Sequence, residues 1–112
     1  MSDEADDGVL ERQKRREIRG SILRTTHRVY GQGGNATFIS LVHVAGIYVT
    51  GNERQKHRQV REQVTYLIEK EYLREVMEKR DAKDLDPPAV YQLTAKGMDL
   101  INGDIEDAAI EL

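Results

Sequence analysis

The stretch from Glu53 to Glu71 most constrains how this chain can fold. Val60, Val64, Leu67 and Ile68 recur at helical spacing and form one apolar stripe, and nearly everything else is charged or polar. Asn52 stands in front as an N-cap. Gln55, three residues on, completes a capping box. An amphipathic helix of this length needs other elements to cover its stripe. The chain must therefore build a helix-dominated core around residues 53–71.

Breakers set out the remaining elements. Gly31-Gln32-Gly33-Gly34-Asn35 ends a first helical pattern running from about Val9 to Tyr30. In that pattern Ile18, Ile22 and Val29 share a face, Leu23 and Tyr30 lie beside it, and Gly20 weakens the helix without ending it. Thr37–Val49 is dense in apolar residues. β-branching there allows a strand, but Phe38, Leu41, Val42 and Ala45 follow the i, i+3, i+4, i+7 rule and favour a short buried helix. Thr50-Gly51-Asn52 makes a turn. Tyr72–Lys79 reads as extended, Arg80–Pro88 as a charged loop closed by Pro87-Pro88, and Val90–Thr94 as a second strand. Ala95–Asn102 returns to helix and Gly103 stops it. Ile105, Ala108, Ala109 and Leu112 then mark a short amphipathic segment that Asp104 can cap. The expected organisation is an acidic disordered tail over 1–8, one domain over 9–102 and a C-terminal segment over 103–112. The fold class is mainly α with a small β unit, α+β.

Charge is sorted along the chain. The net charge is −3, yet residues 1–11 hold five acids and no base. Residues 12–61 hold eleven Lys or Arg against Glu17 and Glu53, and residues 62–112 hold six bases and thirteen acids. A basic block between acidic ends is a feature of chains that meet polyanions, and also of well-solvated small proteins. The chain has no cysteine, so disulfides and thiolate metal sites are excluded. No apolar run is long enough for a bilayer and the start does not read as a secretory leader, so a cytoplasmic protein without membrane contact is expected. There is no tryptophan and one phenylalanine, which weakens any role in stacking single-stranded bases.

Catalytic and metal signatures are missing. His27, His43 and His57 fall on three different elements without ligand spacing. The Gly31–Gly34 run lacks the Lys-Ser/Thr ending of a phosphate loop and follows a helix. Ser21 and Ser40 have no base partner at motif spacing. The expectation is a non-enzyme with no cofactor and no metal.

Two stretches resemble the winged helix-turn-helix superfamily, most closely bacterial and phage regulators of the MarR, PadR and ArsR types. Val60-Arg61-Glu62-Gln63-Val64-Thr65-Tyr66-Leu67-Ile68-Glu69-Lys70-Glu71-Tyr72-Leu73 is similar to the end of a recognition helix running into a wing strand. Tyr91-Gln92-Leu93-Thr94-Ala95-Lys96-Gly97-Met98-Asp99-Leu100 is similar to the second wing strand and the helix after it, where a Tyr-x-Leu-Thr-x-Lys-Gly pattern recurs. The resemblance covers about residues 15–102. It implies a three-helix core, a two-stranded wing and a C-terminal helix, with residues 53–71 as recognition helix, and a transcriptional regulator of double-stranded DNA. Glu71 departs from the pattern. Those families usually place Gly there, because a helix ending at that point wants a left-handed residue.

On a helical wheel, Arg54, Gln55, Arg58, Gln59 and Glu62 lie opposite the stripe, Lys56 and Arg61 flank it, and His57 leans toward the core. Arg suits guanine and Gln suits adenine, and the first half of a recognition helix reaches base edges. Arg54, Gln55, Arg58 and Gln59 are therefore the candidate base contacts, with Lys56 and Arg61 for phosphates. Arg24 and Arg28 of the first helix and Arg80 and Lys83 of the wing loop are candidate backbone contacts. The acids Asp81, Asp84 and Asp86 argue for weak wing contact. A homodimer is expected, through the terminal segments around Val9, Leu10 and Ile105–Leu112. The competing reading is a winged-helix module that binds an acidic protein partner rather than DNA.

Overall fold

The computed structural model describes residues 3–31, 33–76 and 90–112, with side chains described from Glu11 onward. Its elements are α1 (Asp3–Gly31), β1 (Ala36–Thr37), α2 (Phe38–Ala45), a 3-10 turn (Gly46–Tyr48), α3 (Glu53–Glu69), β2 (Leu73–Val76), β3 (Val90–Leu93) and α4 (Ala95–Ile101). The protein is mostly helical with one small antiparallel sheet in the order β1-β3-β2.

Each helix start has a local cause. Thr37 caps α2, its hydroxyl accepting from Ser40 N at 3.1 Å. At α3 both halves of the capping box are present: Asn52 Oδ1 accepts from Gln55 N at 2.9 Å and Gln55 Oε1 accepts from Asn52 N at 2.8 Å. Thr94 caps α4 through Gly97 N at 3.0 Å. Each cap satisfies a donor that the first helical turn leaves open.

The core takes Ile18, Ile22 and Leu23 from α1, Leu41, Val42 and Ala45 from α2, and Val60, Val64 and Leu67 from α3. Tyr72, Leu73, Tyr91 and Leu93 of the sheet region, Leu100 of α4 and Ile110 close it. Ser21, Thr25 and Thr26 are buried in α1 as well. The two threonines satisfy their hydroxyls within the helix, on Ser21 O (2.8 Å) and on Ile22 O and Leu23 O.

Several elements differ from the sequence expectation. α1 begins at Asp3, whereas the reading set 1–8 apart as a tail. Acidic residues suit the positive end of a helix dipole, so an acid-rich stretch is no bar to a helix. α3 ends at Glu69 rather than at 71: Lys70 is the C-cap and Glu71 has φ 68°. The left-handed turn expected of a glycine is thus made by a glutamate. It allows Tyr72 N to bond Leu67 O at 2.9 Å and turns the chain directly into β2. The sheet has three strands rather than two, because Ala36 and Thr37 pair with Tyr91 and Val90. A two-residue strand leaves no period to detect. Tyr30, expected beside the apolar face of α1, is exposed.

The last segment, 103–112, forms turns rather than a helix and folds back across α1 and Tyr72. Ile110 is buried and Ile105 packs on the core. Glu111 N donates to Arg16 O (3.1 Å) and Tyr72 Oη donates to Asp107 Oδ2 (2.8 Å). Gly20 permits this crossing, since a Cβ there would lie 1.7 Å from Glu111 O. Gly97 does the same for α4, where a Cβ would meet Tyr72 O at 2.4 Å.

Candidate nucleic-acid interface

The buried side of α3 is Val60, Gln63, Val64 and Leu67, with Ile68 half-covered. Its first two turns therefore stand open. Arg54, Gln55 and Arg58 are exposed and line one shallow depression of about 330 Å³ together with Asn52. These three of the candidate side chains are brought together at the N-terminal end of the helix. That end also carries the positive end of the helix dipole. Gln59 is half-buried one position further round. The Gln55 carbonyl oxygen is held by the Asn52 amide, so a two-bond contact to adenine would require the capping box to open.

Lys56 and Arg61 occupy the flanks of the helix, as the wheel places them. The Lys56 stem lies over Gly46 in the turn after α2. Its amino group faces Glu53 at 3.8 Å, a partly exposed pair of little energetic consequence. Arg61 is exposed, with its guanidinium 4.4 Å from the centre of the Phe38 ring. That contact restricts where the guanidinium can go. His57 differs from the expectation that it leans to the core. It is exposed, and its ring sits 5.9 Å from that of Phe38, because the start of α3 extends past the end of the apolar stripe.

The first helix divides its basic residues differently from the sequence reading. Arg24 Nη1 donates to Glu111 O at 3.2 Å, so this candidate backbone contact is turned toward the C-terminal segment. Arg28 is exposed in the last turn of α1, where a cation complements the helix dipole. Arg19 acts inside the protein: its Nε donates to Gln63 Oε1 at 2.7 Å, Nη1 donates to Ala109 O at 3.0 Å, and its plane lies 3.7 Å from the centre of the Tyr66 ring. Arg80 and Lys83 fall outside the described residues.

Sequence reasoning missed Arg74 and Gln92, a cross-strand pair on β2 and β3 in which the guanidinium donates twice to the amide oxygen. It also missed Gln63, a polar residue buried to 5% exposure and matched to Arg19 from 44 positions away. No local signal marks such a pair. The signal for Arg74 was alternation, since its neighbour Leu73 faces the core. Among the described residues no helix is long and apolar enough to cross a membrane. In comparisons with known proteins, the chain matches no family model, no curated protein and no solved structure.

Proposed function

We propose that this chain is a winged helix-turn-helix module that binds double-stranded DNA, with α3 entering the major groove and the β2–β3 hairpin as its wing. The observation that carries this reading is the depression that Arg54, Gln55 and Arg58 share at the capped start of α3. The element order supports it: a helix, a short strand, two further helices and a hairpin, with the short strand added to β3. The first half of a groove-reading helix is the part that reaches base edges, and Arg and Gln are the side chains suited to purines there. Arg61 over Phe38, and Lys56, are positioned for phosphates on either side. Regulation of transcription is the role such a module would serve.

Salt titration of binding to random duplex tests this. Neutralising about four phosphates predicts roughly a hundredfold loss of affinity between 50 and 200 mM salt. A second reading, a module that docks on a protein, is favoured by Ile39 and Ile47. These lie on and just beyond α2 and are 73% and 74% exposed. No duplex binding at the lowest salt would reject the DNA reading in favour of this one.

Specific recognition by so small a module calls for paired half-sites, and a homodimer is part of the proposal. Of the stripe expected to make that contact in the last segment, Ile105 packs on the chain's own core, while Ala108 and Leu112 stay exposed. The start of α1 is the other place the sequence offers for it.

A further inference from the structure

A groove of about 580 Å³ runs between two turns of α1 and the C-terminal segment. That volume is typical of small-molecule sites. Arg12, Arg15, Arg16 and Arg19 line one wall, at the spacing that puts four residues on one helix face, and Ala108 and Ala109 line the other. The groove lies away from the open end of α3. Arg19 is anchored to Gln63, nine residues and about 14 Å of helix beyond Arg54.

The protein uses only part of this donor wall. Arg19 is engaged by Gln63, Ala109 and Tyr66. Arg16 bonds Gln13 at 3.0 Å and pairs with Glu111 at 2.9 Å, but its Nε is buried with no partner. Among the described residues, Arg12 and Arg15 make no ion pair and no side-chain hydrogen bond. Burial lowers the pKa of Arg19 from its usual value against the opposing effect of Tyr66, and the charge of Arg15, one turn away on the same wall, acts in the direction of burial. An anion held at Arg15 offsets that unfavourable charge.

We propose that this groove binds a small organic anion, its acidic oxygens held by Arg12 and Arg15 and its compact apolar body against Ala108 and Ala109. Two unengaged guanidinium forks suit a carboxylate or phosphate better than a diffuse charge does. The apolar wall makes the body of the ligand contribute as well as its charge. This site is independent of DNA binding.

Amide-resolved NMR titration of the full chain tests it with three probes: benzoate, phenyl phosphate and inorganic phosphate. The first two share a body and differ in headgroup; the third has charge alone. At least one of the organic anions is expected to give saturable shifts centred on residues 12–19 and 108–109, at least about tenfold tighter than inorganic phosphate. Whichever binds identifies the headgroup. Arg12→Ala with Arg15→Ala should weaken binding by about tenfold or more, and Arg54→Ala with Arg58→Ala should leave it unchanged. Ala108→Leu, at an exposed position, should weaken the organic anion and spare inorganic phosphate. The proposal is overturned by no saturable shift with either organic anion up to about 10 mM. Shifts centred on α3, or equal affinity for inorganic phosphate, would overturn it too.

Discussion

Glu71 holds a backbone conformation that costs an L-residue roughly 1–2 kcal/mol, and it holds it at φ 68° because the chain must turn from α3 into β2 within three residues. The Glu71 side chain is exposed, while its carbonyl accepts from Thr94 Oγ1. Replacing it changes backbone strain and little else. Glu71→Gly should stabilise the protein by about 0.5–1 kcal/mol once the extra entropy of an unfolded glycine is allowed for. A melting temperature that fails to rise would mean that the side chain contributes more than the strain costs. At the same scale, Arg54→Ala with Arg58→Ala should weaken specific DNA binding by about 1–3 kcal/mol for each lost base contact. The fold should survive, since both side chains stand clear of the core. Anisotropy titrations against the preferred duplex measure the loss, and parent-like binding by the double variant would remove α3 from the interface.

α3 is the element on which the rest is assembled. It touches α1, α2 and β2, and its Leu67 is fully buried in the core. Leu67→Ala should lower stability by about 2–5 kcal/mol, read from urea unfolding. A loss below about 1 kcal/mol would show that the surrounding helices close the cavity, as a rigid three-helix core should not. This element was the most legible in the sequence, because its stripe is periodic and its cap is a local motif. α2 was legible for the same reason, its buried residues being Leu41, Val42 and Ala45. What could not be read was Gln63. A buried polar residue breaks the pattern, and only Arg19, arriving from α1, makes its position favourable.

At the scale of the molecule, the C-terminal segment works as a clasp joining α1 to the start of the sheet. Asp107 is its centre. Burial opposes ionisation of Asp107. Hydrogen bonds from Ala109 N and Tyr72 Oη, with the charges of Lys70 and Arg19, outweigh this and hold its pKa below the usual value. A depressed folded pKa contributes stability that is present above the unfolded value, near 4, and is lost as pH falls through the folded one. Melting temperature should therefore drop below about pH 4, and Asp107→Asn should flatten that acid limb. An identical acid limb in the variant would exclude the clasp as its source. Tyr72 acts at the other end of the scale. Burial first, then its bond to Asp107, pushes its pKa up to about 12. The stability this contributes is complete below pH 10 and declines as pH rises toward 12. Light scattering reports on assembly. A mass of twice 12.8 kDa fits the proposed pairing, and a monomer at working concentration rejects it.

The sequence by itself determined the body of α1, the helices α2, α3 and α4, the strand pair after α3, and which side of α3 faces inward. These follow from periodicity, caps and breakers that act within a few residues. It also marked Glu71 as the place where the local pattern and the local residue disagree. Tertiary structure alone decided that Ala36 and Thr37 join the sheet, that Arg19 is an internal bond-maker rather than a surface charge, and that the last ten residues close over α1. Each of these joins residues far apart in the chain: Thr37 with Val90, Arg19 with Gln63, Glu111 with Arg16. Side-chain type and spacing carry no trace of such a partner until packing brings the two segments together.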